Sequence, residues 1–239
     1  MKSTERHQLK QDRFVSTLQQ TYASIEANSR RLTAVVVTVV LLVGAAGGYV
    51  WWRHQRNAEA SAMLGEAFVA ADAPVAPVAT TGENTPPPGS FPTERARLEA
   101  ALPKFMAAAE AYPKTLPGLA ARYHAAAALV TLGRDEEAAT RYQEVVDLAG
   151  SGVYGRMARL GLAEVRVRQG QYDPAINTYK ELSLNTSAGL PVDGVLIELG
   201  RAYLLAGRKP EAVQAFKRIT EEFPASPYAA EARRELEAL

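Results

Sequence analysis

The sequence contains no cysteine among its 239 residues. This absence excludes disulfide bonds, catalysis by a thiolate and metal sites that use cysteine ligands. It also excludes a membrane anchor made from a lipid-modified cysteine. Any attachment to a membrane therefore has to come from the polypeptide itself.

Histidine is also scarce, and the sequence offers little other chemistry. No carboxylate or second histidine lies at metal-ligand spacing beside His7, His54 or His124, so we expect no metal site and place His124 on a helix surface. No glycine-rich phosphate loop follows a strand, and no serine has a nearby base in a recognisable arrangement. We therefore predict that the protein is not an enzyme and uses no cofactor.

Strong charge and strand-like patterns are missing too. The 27 Lys and Arg residues nearly balance the 26 Asp and Glu residues, which leaves a net charge of +1. No basic run with interleaved aromatic residues indicates a nucleic-acid partner. Residues 93–239 show helical periodicity almost throughout, so the predicted fold class is all-α.

What the sequence does contain is one long uncharged run, residues 32–52. As a helix this run is roughly 31 Å long, enough to cross the hydrocarbon core of a bilayer. Tyr49, Trp51 and Trp52 cluster at one end, where amphipathic rings favour the membrane–water interface. We predict a transmembrane anchor over residues 30–53, which contacts lipid through residues 32–52.

Two export signals are alternatives to a retained anchor. A signal peptidase accepts small residues such as Gly44-Ala45-Ala46. Cleavage after Ala46 would leave Gly47 as the new N-terminus. Ser29-Arg30-Arg31 is similar to a twin-arginine signal, although Thr33 stands where an aromatic residue is expected. The long segment before the apolar run, and its continuation to Trp52, favour the anchor.

The charges that flank the anchor predict its orientation. Residues 1–31 carry six basic and three acidic side chains, a net charge of +3. The positive-inside rule then places the N-terminus in the cytoplasm and the remainder on the other side of the inner membrane. Residues 1–29 form an amphipathic tail, either a helix on the membrane surface or a docking helix for a membrane partner; its apolar stripe is Phe14, Leu18, Tyr22 and Ile25.

Three segments follow the anchor. Residues 54–72 are predicted as a membrane-proximal helix, the first helix of a first repeat that pairs with residues 94–111. Residues 73–92 are rich in proline and break all periodicity, which is typical of a flexible or polyproline-like linker. Residues 93–239 are predicted to form a repeat domain.

Self-similarity with a period of 37 residues is the strongest pattern in the chain. Three repeats carry a glycine, then an alanine five residues later and an aromatic residue four further on, and a fourth carries the alanine and the aromatic residue. We predict that the glycine ends a first helix in a left-handed conformation, while the alanine lets two helices approach and the aromatic ring fills the space between them. The members of this pattern are Gly133, Ala138 and Tyr142; Gly170, Ala175 and Tyr179; Gly207, Ala212 and Phe216; and, one period earlier, Ala101 and Phe105.

With these residues, the chain resembles the tetratricopeptide repeat family. The best match is "LIELGRAYLLAGRKPEAVQAFKRITEEFP", Leu196 to Pro224, whereas Ala126 and Ala163 replace the family's glycine in two other repeats. The resemblance implies a solenoid of about four helical hairpins. The tail "SPYAAEARRELEAL" is similar to the cap helix that such arrays need.

The layout of the whole chain is also similar to that of the ancillary subunit family of the SecYEG translocon. The shared features are an amphipathic tail, one spanning helix and then four repeats. This resemblance implies a membrane-anchored periplasmic scaffold with chaperone-like binding of exported chains, whose partners are translocon subunits or those chains. The alternative is an envelope scaffold that coordinates cell division or cell-envelope assembly.

Two candidate contact surfaces follow from the predicted fold. Gly44 and Gly48 form a small-residue contact for another helix in the bilayer. The concave groove of the solenoid either binds an unfolded or amphipathic segment, or packs against a neighbouring helix or a second copy. Its predicted lining is Tyr123, Ala127, Val130, Met157, Leu160, Glu164, Arg168, Ile197 and Arg201.

Overall fold

The computed structural model describes residues 29–76, 87–184 and 189–239. Within these ranges the secondary structure is helical apart from one isolated bridge, which confirms the all-α prediction. The apolar stripe predicted for residues 1–29 lies outside the described residues. The helices are α1 (Ser29–Ala71), α2 (Glu94–Ala111), α3 (Leu116–Thr131), α4 (Asp135–Ala149), α5 (Val153–Arg168), α6 (Tyr172–Leu184), α7 (Val192–Leu205), α8 (Lys209–Glu222) and α9 (Ala229–Ala238).

Helix α1 carries the predicted anchor. By length and composition, it is the one helix in the described part of the chain that is long and apolar enough to cross a membrane, and an 18-residue window within it has a mean hydropathy of 2.1. The valine and leucine side chains between Val35 and Val50 are each at least half exposed. The Thr38 hydroxyl donates to the Ala34 carbonyl oxygen at 2.8 Å, which satisfies this polar group within the helix itself.

The helix does not end where the apolar run ends. The sequence analysis divides residues 30–53 from residues 54–72, whereas α1 continues without a break to Ala71. Residues 50–71 contain no proline and a single glycine, Gly65, so nothing in this segment interrupts the backbone hydrogen bonds. By contacts, the chain divides into two compact units, residues 1–55 and residues 56–239.

The second unit is an array of helical pairs. Residues 56–71 pack against α2, where the Phe68 ring meets the edge of the Phe105 ring at 5.3 Å. The pairs α3–α4, α5–α6 and α7–α8 follow, and α9 packs on α8. The first helices α3, α5 and α7 also contact one another in order. Each pair thereby buries apolar surface that a single pair leaves open.

The turn inside each of the last three pairs is built on its glycine. Gly133, Gly170 and Gly207 have φ angles of 75°, 74° and 74°, a region that residues with a Cβ disfavour. After Gly133, the Arg134 N–H donates to the Leu129 carbonyl oxygen at 2.9 Å, and the two other turns repeat this bond. This is the Schellman arrangement. The predicted left-handed conformation is confirmed at all three glycines.

The core consists of the small and aromatic residues of the repeat pattern. Ala138, Ala175 and Ala212 have no exposed surface. The aromatic residues that follow them, Tyr142, Tyr179 and Phe216, are at most 4% exposed. Because alanine lets the paired helices approach closely, each ring is buried in the space between them.

The proline-rich linker is tied together at its two ends. The Ala76 N–H donates to the Phe91 carbonyl oxygen at 2.9 Å, and the Phe91 N–H donates to the Pro74 carbonyl oxygen at 2.9 Å. These bonds form an isolated parallel bridge between Val75 and Phe91. The first helix pair is therefore closed by backbone pairing, although the sequence predicts no order for either end.

Candidate protein-binding face

The nine residues predicted to line the concave groove lie on the first helices of three successive pairs. Because α3 contacts α5 and α5 contacts α7, the structure brings these residues onto neighbouring helices. We call this surface the first-helix face. Its predicted members are Tyr123, Ala127 and Val130 on α3; Met157, Leu160, Glu164 and Arg168 on α5; and Ile197 and Arg201 on α7.

Eight of the nine residues reach solvent. Glu164, Arg168 and Arg201 are exposed, and the five on α3 and the start of α5 are half-buried. Half-buried apolar side chains present surface to a partner while their own positions are fixed by packing. The predicted mixture of apolar centres and a few charges is therefore accessible on α3 and α5.

Ile197 does not belong to this accessible surface, and its prediction as a groove residue is wrong. Its side chain is 1% exposed and lies in the same apolar cluster as Ala232 of the cap helix α9. The reason is the position of α7 in the last pair, where α9 packs. Sequence periodicity treats all repeats alike, so it does not predict that the cap helix buries a residue of the last pair.

Tyrosine rings gather at the α3–α5 part of the face. The centre of the Tyr123 ring lies 5.6 Å from that of Tyr142 and 6.0 Å from that of Tyr154. Tyr142 is buried, whereas Tyr123 and Tyr154 are half-buried. Tyr123 therefore contacts both the buried ring of Tyr142 and the half-buried ring of Tyr154.

The carboxylate of Glu164 lies close enough to these phenols to act on them. Burial raises the pKa of Tyr123 above its ordinary value, and the charges of Glu164 and Tyr154 raise it further. Burial is also the main cause that raises the pKa of Tyr142 and of Tyr179, and Glu164 adds to both. All three phenols are therefore neutral near pH 7, and a negative charge stands beside them.

Both arginines of the face are already engaged by carboxylates. The Arg168 Nε atom lies 3.1 Å from the carboxylate of Asp135. Arg201 bridges Glu198 and Glu231, each at 2.5 Å. The charge of each guanidinium is therefore already balanced by carboxylates of this chain.

Glu198 adds a second perturbed carboxylate at this end of the face. Burial raises its pKa, while the neighbouring Arg201 lowers it and the charges of Glu164 and Glu231 raise it again. The effect of the Glu164 charge on Glu198 indicates that the two carboxylates lie near each other. The sequence analysis does not include Glu198, Glu231 or Tyr154. Of these, only Glu198 carries a local signal, because it lies three residues before Arg201 on the same helix.

His124 is not on a helix surface, so that prediction is wrong. Its ring is half-buried; it lies 4.7 Å from the Phe68 ring in an edge contact and stacks at 5.8 Å on Phe105. Burial lowers the pKa of His124 below its ordinary value, and the charge of Asp72 opposes this with a smaller effect. The residue packs the first helix pair against α3.

The buried imidazole makes stability depend on pH. The folded state disfavours protonated His124, so the unfolded chain binds more protons once the pH falls below the ordinary histidine pKa. We expect the melting temperature of the full-length chain in detergent to fall between about pH 7.5 and about pH 5.5, and to fall less in His124→Phe, which keeps the ring. Asp72→Asn should steepen the fall. An unchanged pH slope in His124→Phe would contradict this assignment.

Two further predictions concern the helix contact at Gly44 and Gly48 and the absence of a metal site. A Cβ added at Gly44 or Gly48 would meet no other atom within 4 Å, so this face of α1 is open, and its use as a helix contact stays a prediction. In residues 29–76, 87–184 and 189–239, no group of histidine and carboxylate side chains is arranged to hold a metal ion.

Comparison with known proteins identifies the fold. The tetratricopeptide-like repeats of a putative kinesin light chain from Podosopora anserina align with a TM-score of 0.51 at 20% identity, over 59% of this chain and 76% of that one. A tetratricopeptide repeat protein from Parabacteroides merdae aligns with a TM-score of 0.50 at 19% identity, over 60% of this chain and 54% of that one. No curated protein matches the sequence. A family model described as a tetratricopeptide repeat-like domain matches residues 25–236, and the chain therefore belongs to the tetratricopeptide repeat-like family.

Proposed function

We propose that the protein is a membrane-anchored scaffold that holds a segment of a partner protein on its first-helix face. The observation that carries this proposal is the accessible apolar surface of Tyr123, Met157 and Leu160 around the charge of Glu164. Stacked repeats of this family commonly use such surfaces for protein–protein contact. The bound segment is an unfolded or amphipathic stretch, because the face offers apolar contacts on fixed helices.

The face is unsuited to gripping the carboxylate at the end of a chain. Such clamps use lysine and asparagine side chains on the first helices. Here those places hold Tyr123, Ala127, Leu160 and Glu164, and the nearby Arg168 is paired with Asp135. Internal segments of a partner are therefore the expected ligands.

The anchor holds the binding face at the membrane where its partners are found. Helix α1 holds the repeat unit at the inner membrane, with the N-terminus in the cytoplasm and the first-helix face in the periplasm. The net charge of +3 on residues 1–31 supports this orientation. Attachment raises the effective concentration of the face for clients that emerge at the same membrane.

The layout of the chain supports a particular membrane machine. A basic amphipathic tail, one spanning helix and four helical repeats resemble the ancillary subunits of the protein-export channel. On this proposal the clients are emerging or freshly exported chains, which expose the apolar segments that a folded protein buries. The alternative role, in cell division or envelope assembly, is an outcome of the same experiment.

Site-specific crosslinking in the native membrane tests the partner. A photo-crosslinking amino acid replaces Tyr123 or Leu160 in the full-length chain, with Lys217, exposed on the second helix α8, as the matched control. We expect translocon subunits or a spread of exported chains at the first two positions and none at Lys217. Division or wall-synthesis proteins would support the alternative, and self-crosslinks alone would contradict the proposal.

The absence of cysteine gives a direct test of orientation. A single cysteine introduced in place of the exposed Ala225 should react with a membrane-impermeant maleimide in spheroplasts. A single cysteine in place of Ser3 should react only after the membrane is opened. The opposite labelling pattern would show that the orientation is reversed. An intact mass equal to that of a chain starting at Gly47 would show that the apolar segment is a cleaved signal and not a retained anchor.

A further inference from the structure

We infer that the first-helix face selects segments that carry a basic side chain, which it binds between Glu164 and the ring of Tyr123. This inference rests on the proposed function and narrows its partner class. It names a lysine or arginine flanked by apolar residues as the recognised feature.

The charges of the face carry the first part of the argument. Glu164 is exposed, and in the described part of the chain no lysine or arginine forms an ion pair with it. Arg168 and Arg201, the two basic residues of the face, pair with other carboxylates. The negative charge of Glu164 is therefore available to a cation that arrives with a partner.

The wider surroundings of Glu164 favour a cation in the same way. The charge of Glu164 acts on Glu198, and a single guanidinium, that of Arg201, pairs with both Glu198 and Glu231. Arg168 and Asp135 cancel each other. Counted together with Asp135, Glu198 and Glu231, the charged residues of the face comprise four carboxylates and two guanidinium groups. This excess of negative charge attracts basic segments and repels acidic ones.

The tyrosine rings carry the second, independent part of the argument. A cation within about 6 Å of the face of an aromatic ring is attracted by the negative charge above that ring. Tyr123 and Tyr154 lie 6.0 Å apart and are half-buried, so each ring is fixed and still accessible. A lysine or arginine stem also covers apolar surface while its charge reaches a carboxylate. Such a side chain can cover Leu160 and the Tyr123 ring while its charge reaches Glu164, which lies one helical turn after Leu160 on α5.

The test compares three labelled peptides that differ only in charge. Each has fifteen residues with the same leucine, phenylalanine and alanine positions, and four variable positions are all lysine, all glutamine or all glutamate. Binding to the full-length protein is measured by fluorescence anisotropy in nanodiscs of phosphatidylcholine, with empty nanodiscs as the blank. We expect the lysine peptide to bind about tenfold more tightly than the glutamine peptide, since an ion pair and a cation–π contact act together.

Matched variants assign the selectivity to Glu164. Glu164→Gln should remove most of the preference for lysine, and Glu164→Lys should shift it to the glutamate peptide. Glu181→Gln changes the net charge equally at an exposed position on α6 and should leave the preference intact. Equal binding of all three peptides would overturn this inference and leave the proposed function standing. Binding of none of them, together with no crosslinked partner, would overturn both.

Discussion

Replacing Gly200 with alanine is expected to lower the free energy of unfolding by about 3 kcal/mol. An alanine Cβ at this position would lie 2.3 Å from the Phe216 ring, with two more ring atoms within 2.8 Å. Phe216 has no exposed surface, so its ring has no free space to move into. The added methyl group therefore has to separate α7 from α8.

Two other repeats carry alanine at the position equivalent to Gly200, which suggests the opposite result. Ala126 and Ala163 occupy the places that correspond to Gly200 two periods and one period earlier, and both are fully buried. By repeat equivalence alone, alanine at position 200 should be harmless. Packing predicts the opposite, because each helix pair is spaced for the residues that it holds. The measured stability of Gly200→Ala decides whether repeat equivalence or local packing predicts the effect correctly.

Chemical denaturation of the full-length chain in detergent measures the effect. The matched control is Gly65→Ala, since a Cβ at Gly65 meets no atom within 4 Å and the backbone there is helical. We expect this control to gain about 0.8 kcal/mol from helix propensity. Phe216→Leu should relieve most of the cost of Gly200→Ala in the double variant. Equal stabilities of Gly200→Ala and Gly65→Ala would contradict the packing argument.

The parts of the fold that repeat are those that the sequence predicts well. The glycines at period 37 determine three turns with left-handed backbone, because a Schellman turn depends on one local residue type. The buried alanine and aromatic positions follow for the same reason: each sits at a fixed distance from its turn. Local chemistry is enough to place them.

The predictions that are wrong concern residues whose burial depends on contacts between helices that the repeat period does not describe. Ile197 is covered because the cap helix α9 lies beside α7, and His124 is half-buried because Phe68 reaches it from α1. The aromatic contact of Tyr123 with Tyr154 joins two helices with no repeated spacing in the sequence. Such side chains are placed by how successive pairs pack, which is a tertiary effect.

A buried ion pair gives the second large expected effect, and the two partners should not be equivalent. Arg122 is 9% exposed, forms an ion pair with Glu144, and donates to the Ala109 carbonyl oxygen at 3.1 Å. Glu144 is about one-third exposed and also accepts from Arg141 at 3.1 Å. Removal of Glu144 leaves a buried guanidinium without its carboxylate. Removal of Arg122 leaves a carboxylate that keeps both Arg141 and contact with water.

We therefore expect Glu144→Leu to cost about 3 kcal/mol and Arg122→Leu about 1 kcal/mol or less. The repeat supports the mild effect of the second change, since Leu196 stands two periods after Arg122 and is fully buried there. The same position in another helix pair is therefore compatible with an apolar side chain. The unfolding free energy of each variant, measured by chemical denaturation in detergent, checks the order.

The double variant Arg122→Leu/Glu144→Leu separates the charge argument from a general loss of packing. If the cost of Glu144→Leu comes from the stranded guanidinium, removing Arg122 as well should recover most of it, and the double variant should be more stable than Glu144→Leu alone. If both side chains mainly fill space, the two costs should add. An additive result, or a larger cost for Arg122→Leu than for Glu144→Leu, would refute the ion-pair explanation. Recovery would mean that Glu144 is needed because Arg122 is buried, and that the α3–α4 pair tolerates an apolar contact in place of both charges.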